Sequence, residues 1–384
     1  MNKIEELYKY LPEEKIDWEL IKKELLKPFV QDLEVTNQEF KWHSEGNVLN
    51  HTYMVVEKLI SLDEFKELSK IEKLVVFLSA LFHDVGKIKC TKIINNEITS
   101  FHHGSTGSKM IREYLWKDLL LSGNKEYQSF REAICLLIKY HSAPVHYYEK
   151  LTKKVIKLSL NHELTKYYNL KLLTILAKAD ILGRISTEVS DHYENLMLFI
   201  EEAKQLNCFD KAFKFDNSYT RYQYLNNDNI WPYDKLYNPS WGTIILICGL
   251  PGTGKDTYIK EHYKDIPVIS LDDIREEYHI DPKDNQGVVY NKAKERAKEL
   301  LRNKNEFIWN ATNISTLIRS KQINLFHNYN ANVKIIFLET SFDKNIDRNK
   351  NRIKEVSEKI ILKLLSNIDI PEMYESEDIE WICV

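Results

Sequence analysis

With 384 residues, the chain is long enough for two or three domains that each bury a core of their own. Its net charge of −3 excludes the global basic excess of a protein that coats nucleic acid, although a local basic groove remains compatible with it. The five cysteines are scattered, no apolar run reaches membrane-spanning length, and the first residues lack a signal-peptide core. These features predict a cytoplasmic protein with reduced thiols and no membrane partner.

Residues 1–205 are predicted to form an all-α domain. Gly and Pro are sparse there, and apolar residues recur at helical spacing. The segment 71–82 is apolar on nearly all sides, so we expect it to lie at the centre of this domain. Residues 206–240 combine turn formers with many aromatic residues, which predicts an ordered connector that packs on a domain. Its aromatic side chains can either join the domains or stack on bases.

Four residues that can bind a metal stand at the ends of predicted helices. His83 and Asp84 close the apolar segment, His51 begins an amphipathic segment upstream, and Asp180 ends an apolar helix downstream. A lone carboxylate buried there would need a cation. Imidazole nitrogens and carboxylate oxygens are suitable ligands for several divalent ions. We therefore predict that His51, His83, Asp84 and Asp180 form one metal site on three helices.

The order His…His-Asp…Asp over residues 40–185 resembles the HD-domain superfamily of metal-dependent phosphohydrolases. Residues 43–52 are similar to the opening segment of HD domains attached to tRNA nucleotidyltransferases. The resemblance implies hydrolysis of a phosphate ester by metal-activated water, with Mn, Ni, Co or Fe as candidate ions. It also implies further active-site histidines at His103 and His141, for which a second metal, phosphate contact, proton transfer and a structural role stay open.

The remaining polar residues of this half are less diagnostic. Lys87, just after the His-Asp doublet, can either neutralise a substrate phosphate or be a solvated lysine favoured by the helix dipole. Four other histidines are not expected to be ligands, although the first and third can line the pocket; they are His43, His102, His146 and His162.

From residue 241 onward, short β-type segments alternate with helical ones, which predicts a doubly wound parallel α/β domain over 241–384. Its first strand leads into Gly-x-x-x-x-Gly-Lys, a phosphate-binding loop whose backbone N–H groups cradle phosphates while Lys255 reaches the β/γ-phosphates. The residue after this lysine is Asp256, where Ser or Thr usually holds Mg²⁺, and a hydroxyl follows at Thr257. Either can be the Mg²⁺ ligand. The predicted NTP-binding residues are Gly249, Gly252, Thr253, Gly254, Lys255, Asp256, Thr257 and Arg352.

Two further pairs of polar residues follow later strands. Asp272 and Arg275 come after the strand 267–271, where a carboxylate can accept a hydroxyl proton or hold Mg²⁺ and the arginine can contact a phosphate of the acceptor. Alternatively, Asp272 or its neighbour Asp273 serves only as an N-cap. The strand 307–311 ends without an aspartate. Arg348 and Arg352, four residues apart on a predicted helix, can close over the transferring phosphates or form a solvated face.

This second set, over residues 243–371, resembles the phage-type polynucleotide 5′-kinase family. The resemblance implies that Lys255 binds the donor phosphates, Asp272 is the general base and Arg275 grips the 3′-side phosphate of the acceptor. It also implies that Arg352, with Arg348 as a second candidate, is the lid that contacts the donor.

An HD domain followed by such a kinase is similar to the HD-Pnk family of bacterial RNA end-healing enzymes. That resemblance implies removal of a 2′-phosphate or 2′,3′-cyclic phosphate by the HD domain, and phosphorylation of a 5′-OH by the kinase with Mg²⁺ and ATP or another NTP. It further implies RNA ends, or DNA ends, as substrates and a separate ligase as partner. Two other functions stay open: an HD nucleotidase fused to a small-molecule kinase, and a regulatory NTPase that switches the HD domain.

Overall fold

A computed structural model describes residues 2–186, 189–281, 284, 286–351 and 355–384. The chain divides into two compact units. The first comprises Met1–Leu121 and Glu126–Phe213, and the second comprises Ser122–Lys125 and Lys214–Val384. Among the residues described, no helix has both the length and the apolar character that crossing a bilayer requires.

The first unit is helical, with one short antiparallel hairpin, β1 (Lys92–Ile94) and β2 (Glu97–Thr99). Short 3₁₀ turns lie at Tyr8–Tyr10, Ala143–Val145 and Leu160–Glu163. The α-helices are α1 (Lys3–Leu7), α2 (Trp18–Glu24), α3 (Val30–Val35), α4 (Val48–Ser61), α5 (Asp63–Lys66), α6 (Lys70–Phe82), α7 (Lys87–Cys90), α8 (His103–Lys117), α9 (Lys125–Tyr140), α10 (Leu151–Ser159), α11 (Leu170–Leu182) and α12 (Val189–Gln205).

Helix α6 lies in the centre of this unit, as its apolar sequence predicts. Ser69 and Glu72 form a capping box that starts the helix, and every residue from Leu74 to Phe82 is buried. Helices α4 and α11 both pack against α6. Because α6 ends at Phe82, the His-Asp doublet that follows is delivered into the interior of the unit.

The second unit is built on a five-stranded, wholly parallel sheet with the strand order β4-β5-β3-β6-β7. The strands are β3 (Thr243–Cys248), β4 (Val268–Ser270), β5 (Ile308–Asn310), β6 (Asn332–Glu339) and β7 (Asp378–Cys383). The helices are α13 (Ser218–Asn226), α14 (Lys255–His262), α15 (Leu271–Glu277), α16 (Gln286–Arg302), α17 (Thr316–His327), α18 (Phe342–Lys350) and α19 (Glu358–Leu365). The predicted fold class, an all-α domain followed by a parallel α/β domain, is confirmed.

Parallel pairing determines where the polar residues of the second unit meet. The carboxyl ends of parallel strands lie at one edge of the sheet, where ligands of α/β proteins bind. At this edge β3 leads into the phosphate loop, β4 leads directly into α15, and β5 ends on Asn310. A fifth strand, β7, is not among the strands predicted from the sequence; it pairs with β6 at the side of the sheet opposite β4.

A buried arginine joins the segment before β7 to the rest of the second unit. Arg319 binds both carboxylate oxygens of Glu375, at 2.7 and 2.8 Å, and donates to the backbone carbonyls of Asn313 at 3.0 Å and Asp369 at 2.7 Å. Because the ion pair is bidentate and its arginine makes further hydrogen bonds, its desolvation is compensated, which fits a structural role.

The predicted connector, residues 206–240, is divided between the two units. In the first unit, the Lys171 N–H donates to the Phe209 carbonyl at 2.8 Å. In the second, Arg221 donates to the Glu377 carbonyl at 2.6 Å. Both parts are therefore hydrogen-bonded to the unit in which they lie. Three of its aromatic side chains remain largely exposed: Trp231, Tyr233 and Tyr237.

Candidate metal centre and phosphate-binding site

Three buried side chains with metal-ligand chemistry meet in the first unit. His51 lies in the first turn of α4, His83 directly follows α6, and Asp180 lies in the last turn of α11. Nε2 of His51 lies 3.0 Å from Oδ1 of Asp180 and 3.3 Å from Nε2 of His83. These atoms are close enough together to bind one ion.

The carboxylate of Asp84 joins this group to a second one. Its Oδ2 atom lies 3.3 Å from Nε2 of His83 and 3.6 Å from Nε2 of His51. Its Oδ1 atom lies 3.3 Å from Nε2 of His103 and 3.9 Å from Nε2 of His141. The structure thus brings the four predicted ligands together and places His103 and His141 against the same carboxylate.

The orientation of three of the imidazole rings is set by the backbone. Nδ1 of His83, His103 and His141 lies 2.8, 2.8 and 2.7 Å, respectively, from the carbonyl oxygen three residues earlier in the chain. A ring nitrogen that bonds to a carbonyl must carry the proton, so Nε2 of the neutral ring keeps its lone pair. All three Nε2 atoms face the cluster, which is the arrangement that a metal site requires.

One oxygen of the shared carboxylate lacks a hydrogen bond. Oδ1 of Asp84 is buried and accepts none from the described residues. A buried acceptor left without a donor costs about 1–3 kcal/mol, and more when it is charged. A divalent ion between Asp84, His103 and His141 would satisfy it. The donor set, carboxylate oxygens with imidazole nitrogens, therefore fits a divalent metal.

At Asp84, Asp180 and His141 the electrostatics favour the protonation states of metal ligands, whereas at His83 burial, which lowers the pKa, is outweighed by Asp84 and Asp180, so that the pKa is raised. Burial acts to raise the pKa of Asp84, but Lys87 and His83 hold it well below its usual value. The pKa of Asp180 is likewise held well below its usual value, against burial, chiefly by Arg184. Burial, together with neighbouring imidazoles, lowers the pKa of His141 to about 3. Ionised carboxylates and a neutral imidazole are the forms that bind metal.

Two basic side chains hold these carboxylates. Nζ of Lys87 lies 2.7 Å from Oδ2 of Asp84 and donates to Oε1 of Gln38 at 2.6 Å. Lys87 is only 8% exposed, so the alternative in which it is a solvated lysine is wrong. Nη2 of Arg184 lies 2.7 Å from Oδ2 of Asp180. Arg184 is not among the predicted site residues, although its spacing of four residues after Asp180 is a recognisable ion-pair signal.

A buried glutamate that the sequence analysis also missed lies behind His51. Oε1 of Glu45 is 2.8 Å from Nδ1 of His51 and 2.9 Å from Nδ1 of His43. The His51 contact lacks the alignment of a hydrogen bond, whereas the His43 contact has it. Oε2 of Glu45 accepts the N–H of Ile185 at 3.0 Å, which fixes the carboxylate. His43 therefore lies beside the pocket, held by Glu45.

Gly86 explains how the second histidine group reaches Asp84. A Cβ atom at this position would lie 2.0 Å from the carbonyl oxygen of His103 and 2.5 Å from the N–H nitrogen of Gly107. Both are backbone atoms that a side chain cannot displace cheaply. The glycine two residues after Asp84 thus lets α8 approach closely enough for His103 to reach the cluster.

The phosphate loop of the second unit has the backbone of an anion cradle. Gly249, Gly252 and Gly254 adopt positive φ angles of 149°, 82° and 89°, which L-residues with side chains rarely adopt. Helix α14 begins immediately afterwards, at Lys255. Consecutive N–H groups followed by a helix N-terminus form a site for phosphate.

Lys255 lies over this loop. Its Nζ atom donates to the carbonyl oxygens of Gly249 at 3.1 Å and Leu250 at 2.9 Å. The ammonium group is therefore held at the mouth of the cradle, where it can reach phosphate oxygens. This position fits the predicted role of Lys255 in binding the donor.

Helix α18 supports the loop from the other side. Nδ2 of Asn345 donates to the carbonyl of Pro251 at 2.7 Å, and Nη1 of Arg348 lies 3.5 Å from the carbonyl oxygen of Thr253. A Cβ atom at Gly252 would lie 2.8 Å from the carbonyl oxygen of Asn345. Arg348 is thus placed at the loop, as the lid prediction requires. The other predicted lid residue, Arg352, lies outside the described residues.

The predicted acceptor-side pair, Asp272 and Arg275, lies on α15. The guanidinium of Arg275 forms an ion pair with Asp272, and its Nε and Nη2 atoms donate to Oε1 of Gln286 at 2.9 and 2.8 Å. Ser270 caps α15 by accepting the N–H of Asp273 at 3.2 Å, so the alternative in which an aspartate is the N-cap is wrong. The Asp272 side chain remains 71% exposed and accessible to a substrate.

The residue after the loop lysine contacts the end of β5. Nδ2 of Asn310 donates to Oδ1 of Asp256 at 2.7 Å. The next residue, Thr257, has an exposed side chain. As the sequence predicted, β5 carries no aspartate at its end, but a carboxylate from α14 lies beside that end.

Two protein families match separate parts of the chain. Residues 48–184 match the HD domain family, and residues 244–371 match the AAA domain family. The first stretch contains all six residues that meet around Asp84, namely His51, His83, Asp84, His103, His141 and Asp180. The second stretch contains the phosphate loop. The chain therefore combines, in the predicted order, a stretch that matches the HD domain family with a stretch that matches the AAA domain family and contains the phosphate loop.

Two solved structures show weaker likeness. A chain of a Pnkp1/Rnl/Hen1 complex aligns with 32% of this chain and 44% of its own length, at 17% identity and a TM-score of 0.28. A protein from Chloroflexus aurantiacus, provisionally assigned as a kinase, aligns with 38% of this chain and 86% of its own, at 19% identity and a TM-score of 0.32. The chain thus spans less than half the length of the first, and both scores are too low to bear on function.

Proposed function

We propose that this chain, in which an HD domain precedes a P-loop domain, is a bifunctional RNA end-healing enzyme. The first unit hydrolyses 2′-phosphate and 2′,3′-cyclic phosphate ends. The second transfers the γ-phosphate of ATP or another NTP to a 5′-OH polynucleotide end. Cleavage of RNA by transesterification leaves a cyclic phosphate on one side of the break and a 5′-OH on the other, so one chain would prepare both ends. Sealing them requires a separate ligase as partner.

The observation that carries the proposal is the Asp272–Arg275 pair. The exposed carboxylate lies at the carboxyl edge of the sheet, where it can accept the proton of an attacking hydroxyl. Arg275 is 22% exposed and is oriented by Gln286, so its guanidinium can contact a phosphate next to the reacting hydroxyl. A free nucleoside has no such phosphate. The pair therefore favours an oligonucleotide acceptor.

For the phosphate donor, the chain supplies the backbone cradle of the loop and two cationic side chains. The loop N–H groups and Lys255 bind the β- and γ-phosphates, and Arg348 stabilises charge that develops on the transferring group. Asp272 removes the hydroxyl proton as the new P–O bond forms and the bond to the β-phosphate oxygen breaks. Asp256 or Thr257 would hold Mg²⁺, which would neutralise part of the phosphate charge.

In the first unit, His51, His83, Asp84 and Asp180 would hold one divalent ion of the Mn, Ni, Co or Fe type. Asp84 with the pair His103 and His141 would hold a second, or those two imidazoles would face the phosphate. The bound metal lowers the pKa of water and polarises the phosphoryl oxygen. Lys87 and Arg184 keep the two carboxylates ionised, and the backbone carbonyls keep the rings aimed at the ion.

One assay tests the kinase half. The protein is incubated with γ-labelled ATP, Mg²⁺ and a 5′-OH RNA, a 5′-OH DNA or a nucleoside. We expect the label to be transferred to the RNA. Comparison with the amount transferred to DNA defines the preference of the kinase for RNA or DNA acceptors. Label on nucleosides alone would instead establish a small-molecule kinase, and free phosphate without any labelled acceptor would establish a regulatory NTPase.

A second assay tests the hydrolase half. Metal-stripped protein is reloaded with Mn²⁺, Ni²⁺, Co²⁺ or Fe²⁺ and given an oligonucleotide that ends in a 2′,3′-cyclic phosphate or a 2′-phosphate. We expect metal-dependent release of phosphate that leaves a terminal hydroxyl. Hydrolysis of free nucleotides with no action on either RNA end would contradict the proposal.

A further inference from the structure

The contact between Asp256 and Asn310 lies in the region where P-loop kinases bind Mg²⁺. Asn310 is the last residue of β5, opposite Ser270 of β4 and Ile247 of β3 in the sheet register. It therefore lies between the strand that leads to the acceptor-side pair and the strand that leads to the phosphate loop. Asp256 is the second residue of α14.

The orientation of the Asn310 side chain follows from its partner. An ionised carboxylate only accepts hydrogen bonds, so the NH₂ group of Asn310 must face Asp256, as the 2.7 Å contact has it. The amide oxygen, on the other branch of the side chain, then makes no contact with Asp256. Asn310 is only 7% exposed, and its Oδ1 atom is buried with no hydrogen-bond partner among the described residues. A buried, unpaired amide oxygen costs about 1–3 kcal/mol unless a ligand satisfies it.

P-loop enzymes usually divide the magnesium site between a hydroxyl after the loop lysine and a carboxylate at a strand end. In this chain the carboxylate follows the lysine, at Asp256, and a neutral amide stands at the end of β5, at Asn310. The two positions still contact each other. In this chain the carboxylate therefore lies on the helix and the amide on the strand, and the two side chains are hydrogen-bonded.

We propose that Asp256 is the protein carboxylate that binds the Mg²⁺ of the bound nucleotide, and that Asn310 positions it. The Asn310 NH₂ group holds one oxygen of Asp256 and leaves the other for the ion or an ion-bound water. The unpaired Oδ1 of Asn310 accepts a hydrogen bond from water in the same shell. Mg²⁺ is typically held by one or two carboxylates together with substrate phosphates and water, and this donor set fits it. The inference rests on the proposed kinase function.

A structural role for Asp256 alone explains less. An acidic residue in the first turn of a helix is stabilised by the helix dipole without any metal. That role would leave the buried Asn310 oxygen without a partner at the ligand-binding edge. Thr257, the alternative ligand, is rotated about 100° around α14 from Asp256, so the two cannot both face the end of β5.

Reciprocal exchange of the two side chains tests the inference. The single variant Asp256→Asn has two amides and Asn310→Asp has two carboxylates, whereas the double variant Asp256→Asn/Asn310→Asp has the same carboxylate and amide as the parent in exchanged positions. The readout is the Mg²⁺ concentration for half-maximal binding of a fluorescent, non-hydrolysable ATP analogue. Binding of the analogue without Mg²⁺ and the thermal unfolding temperature are measured in parallel.

For Asp256→Asn we expect a rise of at least about 10-fold in the Mg²⁺ midpoint, with metal-free binding unchanged within about 2-fold. Asn310→Asp places two carboxylates side by side and removes the NH₂ group that positions Asp256, so it should also raise the Mg²⁺ midpoint. The double variant should return it to within about 3-fold of the parent because one carboxylate again faces the ion. An unchanged midpoint in Asp256→Asn, or a double variant no better than the single one, would overturn the inference.

Two further outcomes separate this inference from the proposed function. If Thr257→Val raises the midpoint and Asp256→Asn does not, the hydroxyl holds the ion and the inference is wrong. If the parent protein binds the Mg²⁺–nucleotide with the predicted dependence but labels no 5′-OH acceptor, the kinase proposal fails and the metal assignment stands.

Discussion

The two candidate sites of this protein differ in what builds them. The cluster in the first unit consists of side chains that come from several helices and are mostly buried. The site in the second unit consists mainly of backbone from one loop, with side chains such as Lys255 and Asp272 at its accessible edge. The first is therefore a buried cage whose carboxylates are held by Lys87 and Arg184, whereas the second is an open cradle of N–H groups that is completed by the phosphates of a nucleotide. Substitutions should reveal this difference.

The largest effect is expected at Asp84, the carboxylate that both ligand groups share. Asp84→Ala should lower phosphohydrolase activity by at least about 100-fold and reduce bound metal, because both ion positions lose a ligand. Kinase activity should stay within about 2-fold. Metal content and the two activities are measured on the same preparation, with circular dichroism as the folding control. Equal loss of both activities in a folded variant would contradict two separate sites.

Lys255→Ala should produce the opposite pattern. Removing one charged donor from a transferring phosphate costs about 10²–10³ in rate, while the first unit keeps its metal ligands. Transfer to 5′-OH RNA should therefore fall by about that factor and phosphohydrolysis should not change. Lys260→Ala, an exposed lysine of the same helix, is the matched control. A comparable loss in Lys260→Ala would show that general charge, and not the loop lysine, is responsible.

Removal of a ligand should change the unfolding temperature only of the unit that binds it. A metal present at 100 times its Kd stabilises the native state by about 2.7 kcal/mol, which corresponds to roughly 5–10 °C for a unit of this size. Chelation should lower the unfolding temperature of the first unit by that amount, and Mg²⁺–nucleotide should raise only that of the second. Differential scanning calorimetry of the parent, Asp84→Ala and Lys255→Ala assigns each transition. A chelator that shifts neither transition would argue against a bound ion in the cage.

A smaller effect is expected at Glu45, which touches His51 from behind. Glu45→Gln keeps the shape of the side chain but removes the charge beside the imidazole. Loss of such a supporting partner typically weakens metal binding 10–100-fold, and we expect the lower end because the backbone of Ile185 still holds the side chain. Competition with a fluorescent chelator measures the affinity. Glu34→Gln, at an exposed position, should leave it unaltered.

Motifs that are contiguous or have a recognisable order could be predicted from the sequence, whereas contacts between side chains that folding brings together could not. The phosphate loop is contiguous, so its glycines and lysine could be recognised in one stretch, and the order of His51, His83, Asp84 and Asp180 revealed the cluster. Glu45 gave no comparable signal, and the spacing of Arg184 to Asp180 indicated only a local ion pair, because the role of each residue depends on which neighbours the fold gives it. Lys87 could not be assigned until its burial was known.

The Asp256–Asn310 contact in the second unit likewise could not be predicted from the sequence. Its partners are 54 positions apart and lie on α14 and β5. Sequence analysis identified the missing strand-end aspartate and the unusual residue after the loop lysine as two separate departures. Only the parallel pairing of β3 with β5, which places the end of β5 beside the start of α14, shows that they form one pair.

The backbone hydrogen bonds of His83, His103 and His141 have a consequence for ion size. Because each ring is tied to the carbonyl three residues earlier, it cannot swing outward to accommodate a larger ion without breaking that bond. Nitrogen ligands bind ions such as zinc at about 2.0–2.1 Å, whereas calcium takes oxygen ligands at about 2.3–2.6 Å. The cage should therefore discriminate by ionic radius as well as by ligand type, and millimolar calcium should neither load it nor compete with a transition metal.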